Sequence, residues 1–404
     1  MPSFFEVGLL HANHYLELCL RTAGRNLQAS ALSSRGALSP DADSLQIAGA
    51  IEWAQHNRTD ARARDLLVRY PLAIVAAVIS VFPRSDLIQW HEQGLSEADF
   101  IDPEEVQLRY KLEFESNLGL MQFERGDLKV AANRYEGALK NARLLHDRRA
   151  EGHILGMLGQ VYSQWGDLEV STEFLYQSLA IARDLSDVPA EGACFAMLGN
   201  NCLALGRNAE AVEFFRGAWN AAGVQDNKQL EISALVGVGT AYANAGDFAS
   251  AIPPYQQAME CALELADEPR QAQIHGALGK AYLNIADMDA AFSAYQASLM
   301  LAEKSQDAIT QIKAYIGLGA CYFANGEYAV AGQNQTRAIT LAQQHADQMG
   351  EAEARHGLSM TLHGQGKKRE AVSEARKALA ILEQTKSSLA EQLRILLRVW
   401  SAEE

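Results

Sequence analysis

The stretch 157-MLGQVYSQWGDLEV-170 is answered forty residues later by 197-MLGNNCLALGRNAE-210. Taking the glycine of the Leu-Gly pair as a marker, Gly119, Gly159, Gly199, Gly239, Gly279 and Gly319 recur at 40 residues without a slip, and Ser359 keeps the register. The residue before each marker is always a large aliphatic: Leu118, Leu158, Leu198, Val238, Leu278, Leu318 and Leu358. A fixed period of this size marks a solenoid or array, in which one supersecondary unit is stacked many times.

The positions between markers define that unit. Three residues after the marker stand Tyr162, Cys202, Tyr242, Tyr282 and Tyr322, with Gln122 and Leu362 in the end copies. Spacing of three and four places these side chains on one helical face. Seven after it come Gly126, Gly166, Gly206, Gly246 and Gly326, usually followed by an acid such as Asp127, Asp167 or Asp247. A left-handed glycine closes one helix and the acid caps the next. Small residues follow at twelve (Ala131, Ser171, Ala211, Ala251, Ala291, Ala331, Ala371) and nineteen (Ala138, Ser178, Ala218, Ala258, Ser298, Ala338, Ala378). Helices approach closely where such residues meet, and Tyr135, Leu175, Phe215, Tyr255 and Tyr295 between them fill the groove they leave. A second turn is expected near Asp147, Asp187, Asn227, Asp267, Asp307 and Asp347. Each copy is therefore two antiparallel helices.

This pattern resembles the tetratricopeptide repeat, whose Leu-Gly-x-x-Tyr, then Ala, aromatic, Ala spacing is matched from about Glu113 to Glu383. The usual unit is about 34 residues, so these copies carry lengthened helices. HEAT and armadillo repeats share the period without explaining the glycine marker, its tyrosine or the paired small residues. The resemblance implies an all-α fold: a right-handed α-solenoid, or superhelix, of seven hairpins over 102–385. The first copy lacks the tyrosine, and the last lacks the marker glycine, the tyrosine and the inner aromatic, where Ala375 stands. Degenerate end copies are expected, since each has one neighbour only. The tail 389-LAEQLRILLRVWSAEE-404 is apolar at Leu389, Leu393, Leu396, Leu397 and Trp400, so 386–404 reads as a capping helix.

Residues 1–101 lose the marker but keep helical periodicity, giving a helical N-terminal extension with a degenerate copy expected around Leu72 to Leu95. Asn26 to Asp43 reads as a long connection. The order "HANHYLELC", "AIEWAQ", "YPLAIVAAVISVFPRSDLIQWHEQGLS" is similar to the region after the ATPase and winged-helix modules in bacterial signalling ATPases of the NB-ARC, or STAND, type. In that family this portion is the sensor or partner-binding arm. No G-x-x-x-x-G-K-[ST] motif occurs, so this polypeptide is not the nucleotide switch itself. A rival resemblance is to the Rap family of peptide-controlled bacterial regulators, which join an N-terminal helical bundle to a tetratricopeptide domain and act on a response regulator.

Bulk properties narrow the function. With 35 Lys+Arg against 50 Asp+Glu the formal charge is −15, which disfavours nucleic acid and anionic membrane surfaces. No apolar run is long enough to span a bilayer and no secretory leader is evident, so a cytoplasmic location is expected. Cys19, Cys194, Cys202, Cys261 and Cys321 are odd in number and never form a C-x-x-C pair, and read as reduced core thiols. Cys194 and Cys202 are separated by about 12 Å along one helix, too far for a disulfide. His11 and His14 share a helical face with Cys19 a turn beyond, but no fourth metal ligand is placed. No Ser/His/Asp or Cys/His constellation assembles by spacing, and no enzyme activity, cofactor or metal is expected.

Positions that packing leaves free carry the functional reading. In tetratricopeptide superhelices the residues one and five after the marker look into a concave channel. Here the middle copies place Gln160 and Gln164, Asn200, Thr240 and Asn244, and Lys280 and Asn284 there. Amides donate and accept, so this ladder suits the backbone of an extended peptide; the alternative is a merely solvated face. The family's carboxylate clamp finds only Lys280, Lys313 and Asn200 as candidates, while Ser116, Gly156 and Ala196 occupy positions that clamp requires to be polar or basic. The sequence thus predicts a non-catalytic scaffold with a protein or peptide partner.

Overall fold

The computed structural model describes residues 3–27, 40–78, 82–384 and 389–402. The described residues are helical almost throughout, with no strand among them. Contacts divide the chain into two compact units, Met1–Ala190 and Glu191–Glu404.

The first unit opens with α1 (Phe4–Leu27), α2 (Pro40–His56), α3 (Ala61–Val78) and α4 (Arg84–Glu97). α1 packs on α2 and α3, and α3 on α4, around Leu16, Ile47, Leu66, Tyr70, Ile74 and Leu87, all essentially dry. The buried Tyr70 hydroxyl donates to the carbonyl of Ala12, so its polar end is satisfied. The expected connection from Asn26 to Asp43 is narrower than its sequence suggests: α1 runs to Leu27 and α2 starts at Pro40, and 28–39 lie outside the described residues. The segment expected to hold a degenerate copy, Leu72 to Leu95, takes in the end of α3 and most of α4, which pack on each other. Two hairpins follow, α5 (Glu104–Glu124) with α6 (Leu128–Leu144) and α7 (Arg148–Trp165) with α8 (Leu168–Asp184), α6 packing on α7.

α9 (Val188–Ala204) leads into the second unit, with α10 (Asn208–Gln225), α11 (Lys228–Asn244), α12 (Phe248–Glu264), α13 (Glu268–Asn284) and α14 (Met288–Lys304). It continues through α15 (Ala308–Ala324), α16 (Tyr328–Gln344), α17 (Gln348–Gly364), α18 (Lys368–Gln384) and α19 (Leu389–Ala402). From α10 onward each helix up to α19 packs on the next, as a helical solenoid does. α19 covers α18 with Leu393 and Trp400 buried, the indole stacking on the His363 ring at 4.5 Å.

The marker glycine has a direct steric cause. A Cβ on Gly239 would lie 2.6 Å from the ring of Tyr255, and one on Gly199 2.8 Å from Phe215. The aromatic sixteen residues on is thus seated against the bare backbone of its partner helix. In the second unit a further glycine closes the slot from the next pair: Gly237 on Phe215 at 2.6 Å and Gly317 on Tyr295 at 2.2 Å. Where the small positions hold serine, the hydroxyl meets a backbone carbonyl, as Ser171 does with Gly159 and Ser298 with Ala272.

The turns follow the expected chemistry with one correction, at Asp127. Gly126, Gly166, Gly206, Gly246 and Gly326 have φ between 72° and 89°, and Asp167 and Asp247 accept from the amides of Val170 and Ser250. Asp127 makes no such cap; its carboxylate pairs with Arg125 at 3.4 Å. The second turns are capped by Asp147, Asp187, Asn227, Asp267, Asp307 and Asp347, but the residue before each cap is left-handed without being glycine: His146, Ser186, Asp226, Ala266, Gln306 and Ala346, with φ of 51° to 56°. Backbone bonds such as Asp147 N–H to the Ala142 carbonyl at 2.9 Å close these turns in the Schellman manner and hold the strained residue in place.

Candidate functional site

The exposed face of the first helix in each hairpin is built by subtraction. The Leu-Gly pair and the tyrosine three later turn into the core, so the residues one and five after the marker point outward. Gln160 and Gln164 are exposed on α7 in the first unit. In the second unit Asn200 on α9, Asn244 on α11, and Lys280 and Asn284 on α13 are exposed, and Thr240 is half-buried. There α11 touches α13, α13 touches α15 and α15 touches α17, so first helices adjoin one another directly.

The side chains differ in how free they are. Gln160, Gln164, Asn200 and Asn244 make no hydrogen bond with any described residue. Asn284 donates to the Lys280 carbonyl at 2.8 Å, leaving its oxygen open. Thr240 donates to the Val236 carbonyl at 2.8 Å and sits 3.2 Å from the Tyr255 hydroxyl, so it serves the hairpin first. An exposed helix surface with unengaged amides at the repeat distance can meet the donors and acceptors of an extended chain.

Charge enters this face on α13, α15 and α17. Glu353 lies near Lys280 and Lys313: crowding by protein pushes its carboxyl above the ordinary range, the two ammonium groups oppose that, and Asp347 adds to it. None of the three is directly ion-paired among the described residues. Lys280 and Lys313 thus stand against Glu353 and Asp347, a locally balanced cluster of charge. Lys280 and Lys313 were legible as candidates; Glu353 was not, although the residues six before the marker (Glu113, His153, Ala193, Ser233, Gln273, Lys313, Glu353) are polar in every copy but the third. On the same helix, burial lowers the pKa of His356.

The metal and thiol candidates take ordinary places. His11 bonds to Gln46 at 3.1 Å, and Cys19 is fully buried, its thiol pushed up to about 12 by burial. All five cysteines are free and buried. Among the described residues, no three or more His, Cys, Asp or Glu side chains group as metal ligands. No helix is long and apolar enough to cross a membrane among the described residues.

Helical hairpins bearing exposed polar residues on the first helices of the middle copies define a helical-repeat scaffold. The tetratricopeptide repeat family matches residues 111–184 and 310–384, and a second tetratricopeptide repeat profile matches 272–305; the chain carries tetratricopeptide repeats. No curated protein sequence matches it significantly. Among solved structures, the apo form of the quorum sensor NprR from B. thuringiensis is similar with a TM-score of 0.64 at 12% identity, over 92% of this chain and 97% of that one. Aspartyl phosphate phosphatase F from Bacillus subtilis is similar with a TM-score of 0.61 at 13% identity, over 94% and 95%. A STAND protein with a tetratricopeptide repeat sensor from Pyrococcus horikoshii is similar with a TM-score of 0.59 at 17% identity, over 88% of this chain and 54% of that one, so the chain spans about half of that protein. At these identities the likeness is one of fold, and it extends over the N-terminal helices as well as the repeats.

Proposed function

We propose that the chain is a non-catalytic cytoplasmic scaffold whose first-helix face holds an extended peptide or protein segment, as the sensing or partner-binding arm of a bacterial signalling or defence system. The observation that carries this reading is the presence in each unit of unengaged amides, Gln160 and Gln164 in the first and Asn200 and Asn244 in the second, at positions the repeat's packing does not require. Thr240, Lys280 and Asn284 extend the set within the second unit. Many weak bonds to a peptide backbone supply affinity, and side-chain pockets supply selectivity.

A second reading is a peptide-controlled regulator of the Rap kind. It is favoured by the extent of the fold similarity, which takes in nearly the whole of NprR and of phosphatase F but only half of the STAND protein. In that reading, ligand on the repeats biases the N-terminal helices toward or away from a response regulator.

Affinity capture from the source cell's lysate tests the proposal with two baits, the native chain and a variant with Asn200, Asn244 and Asn284 all changed to alanine. These side chains are exposed, so the variant keeps its fold. A partner held by the native bait and lost by the variant supports binding on the first-helix face. A partner held equally by both sinks it.

A further inference from the structure

The sixth copy breaks the repeat's packing rule on its second helix, α16. Thirteen residues after the marker the other copies place Ala132, Thr172, Val212, Ile252, Phe292 and Val372; the sixth places Gly332. Eighteen after it copies one to five have Gly137, Gln177, Gly217, Gln257 and Ala297, and the sixth has Arg337. A hollow lies on each flank of α16. Toward α14 and α15 lies a cavity of about 460 Å³ walled by Phe292, Leu299, Tyr315, Tyr322 and Val330. Toward α17 lies one of about 400 Å³, where Gly332 faces Leu358 and Thr361. Arg337 and Gln333 line both.

The chemistry of the larger hollow is specific. Phe292 and Tyr322 meet edge to face at 5.1 Å and form an aromatic wall. The Arg337 guanidinium lies 6.0 Å from the Tyr315 ring centre, and the Tyr315 hydroxyl donates to Glu303 at 3.2 Å on the opposite bank. Arg337 is exposed and forms no ion pair with any described residue, whereas Arg134, Arg143 and Arg216 on other second helices all pair with carboxylates.

We propose that this groove is a binding site for an extended peptide segment in which a large apolar side chain stands next to a carboxylate. The hollow falls in the size range of ligand-binding clefts. A guanidinium fork that leans on Tyr315 but has no carboxylate of its own takes one through two parallel bonds. Glu303 repels an acid from the α14 bank, so the carboxylate docks on α16 and the apolar side chain turns toward Phe292 and Leu299. Gln296 and Gln333 flank the groove and meet the main chain. A chain this acidic repels such a segment elsewhere on its surface, which leaves Arg337 to fix the register. The site lies on the second-helix side and stands whether or not the first-helix face binds a ligand.

Methionine methyl NMR of the full chain tests the site, because Met300 lines the groove at 64% exposure and Met360 lies on α17, one residue after the marker position Ser359. The variant M300L identifies the reporter signal. The probes are three blocked tetrapeptides, acetyl-Gly-Phe-Glu-Gly-amide and its Phe-Gln and Phe-Lys counterparts, titrated to about 10 mM. The Phe-Glu probe is expected to shift the Met300 methyl saturably, with affinity about tenfold above the Phe-Gln probe. Arg337→Gln removes that difference, and Arg337→Glu reverses the preference toward the Phe-Lys probe. A Met300 signal unmoved by all three probes, moved equally by all three, or still while Met360 shifts overturns the proposal.

Discussion

Replacing Gln335 by phenylalanine should stabilise the second unit. Gln335 occupies the aromatic slot of the sixth copy, 2% exposed, and its amide is clasped by Gly319 and Gly357, whose added Cβ atoms would lie 2.4 Å and 2.6 Å from it. Gly199 and Gly237 clasp Phe215 in the same way, so the slot has the walls for a ring. The Gln335 Oε1 is buried with no hydrogen-bond partner, while Nε2 donates to the Ile316 carbonyl at 3.3 Å. Removing an unsatisfied buried oxygen is worth about 1–3 kcal/mol, and losing the long Nε2 bond costs about 1 kcal/mol. The Ile316 carbonyl keeps its bond within α15. Burying a ring adds about 1.5–3 kcal/mol, less the cost of adjusting neighbours, so the net gain should be about 2 kcal/mol. Hydrogen exchange is the assay, since repeat arrays open locally. Core amides of α15 and α17 should exchange about thirty-fold more slowly in Q335F, with Gln335→Leu intermediate. Faster exchange in Q335F, or no change in either variant, would refute the slot argument.

Three further outcomes follow from the same geometry. Gly239→Ala drives a Cβ into the Tyr255 ring and should destabilise the second unit by about 2 kcal/mol, read as a lower denaturant midpoint. Ala266→Gly relieves a residue held at φ 51° and should raise stability by up to about 1 kcal/mol, in contrast to Ala251→Gly inside α12, which should lower it. Burial lowers the pKa of His91, fully enclosed and packed on Phe114, to about 4. The unfolded chain therefore takes up a proton first as pH falls. Stability of the N-terminal helices is full above about pH 6.5 and should be lost by up to about 3 kcal/mol on the way to pH 4, and His91→Leu should flatten that slope.

The hairpins were legible because the rule that makes them is local and repeated: a glycine at all markers but the last, most often a ring sixteen residues on, small residues at twelve and nineteen, and an acid after most turns. Each of these has its cause within one copy or between neighbours, so the spacing alone exposes it. The left-handed His146, Ser186 and Ala346 were hidden, because the Schellman bonds are made by backbone and leave no mark on residue type. The division between Ala190 and Glu191 was hidden as well, since the marker spacing passes through it unchanged. In the candidate site, Gln160, Gln164, Asn200 and Asn244 could be picked out because packing does not claim them. That Thr240 and Asn284 spend hydrogen bonds on their own hairpins depends on rotamers that spacing does not encode. The hollows beside α16 are marked in the sequence by two departures in one copy, Gly332 and Arg337, which become visible only when the copies are compared position by position.

The central claim is that ligand lies along the first-helix face, and site-specific photo-crosslinking tests it most directly. A benzophenone side chain is placed at Asn244 on α11 or, as the control, at the exposed second-helix position Glu260 on α12, and each labelled chain is irradiated with the partner that the native bait retains. Crosslinks from Asn244 and none from Glu260 are the predicted result. Crosslinks from Glu260 with Asn244 silent would contradict the account and move the binding surface to the other side of the hairpins.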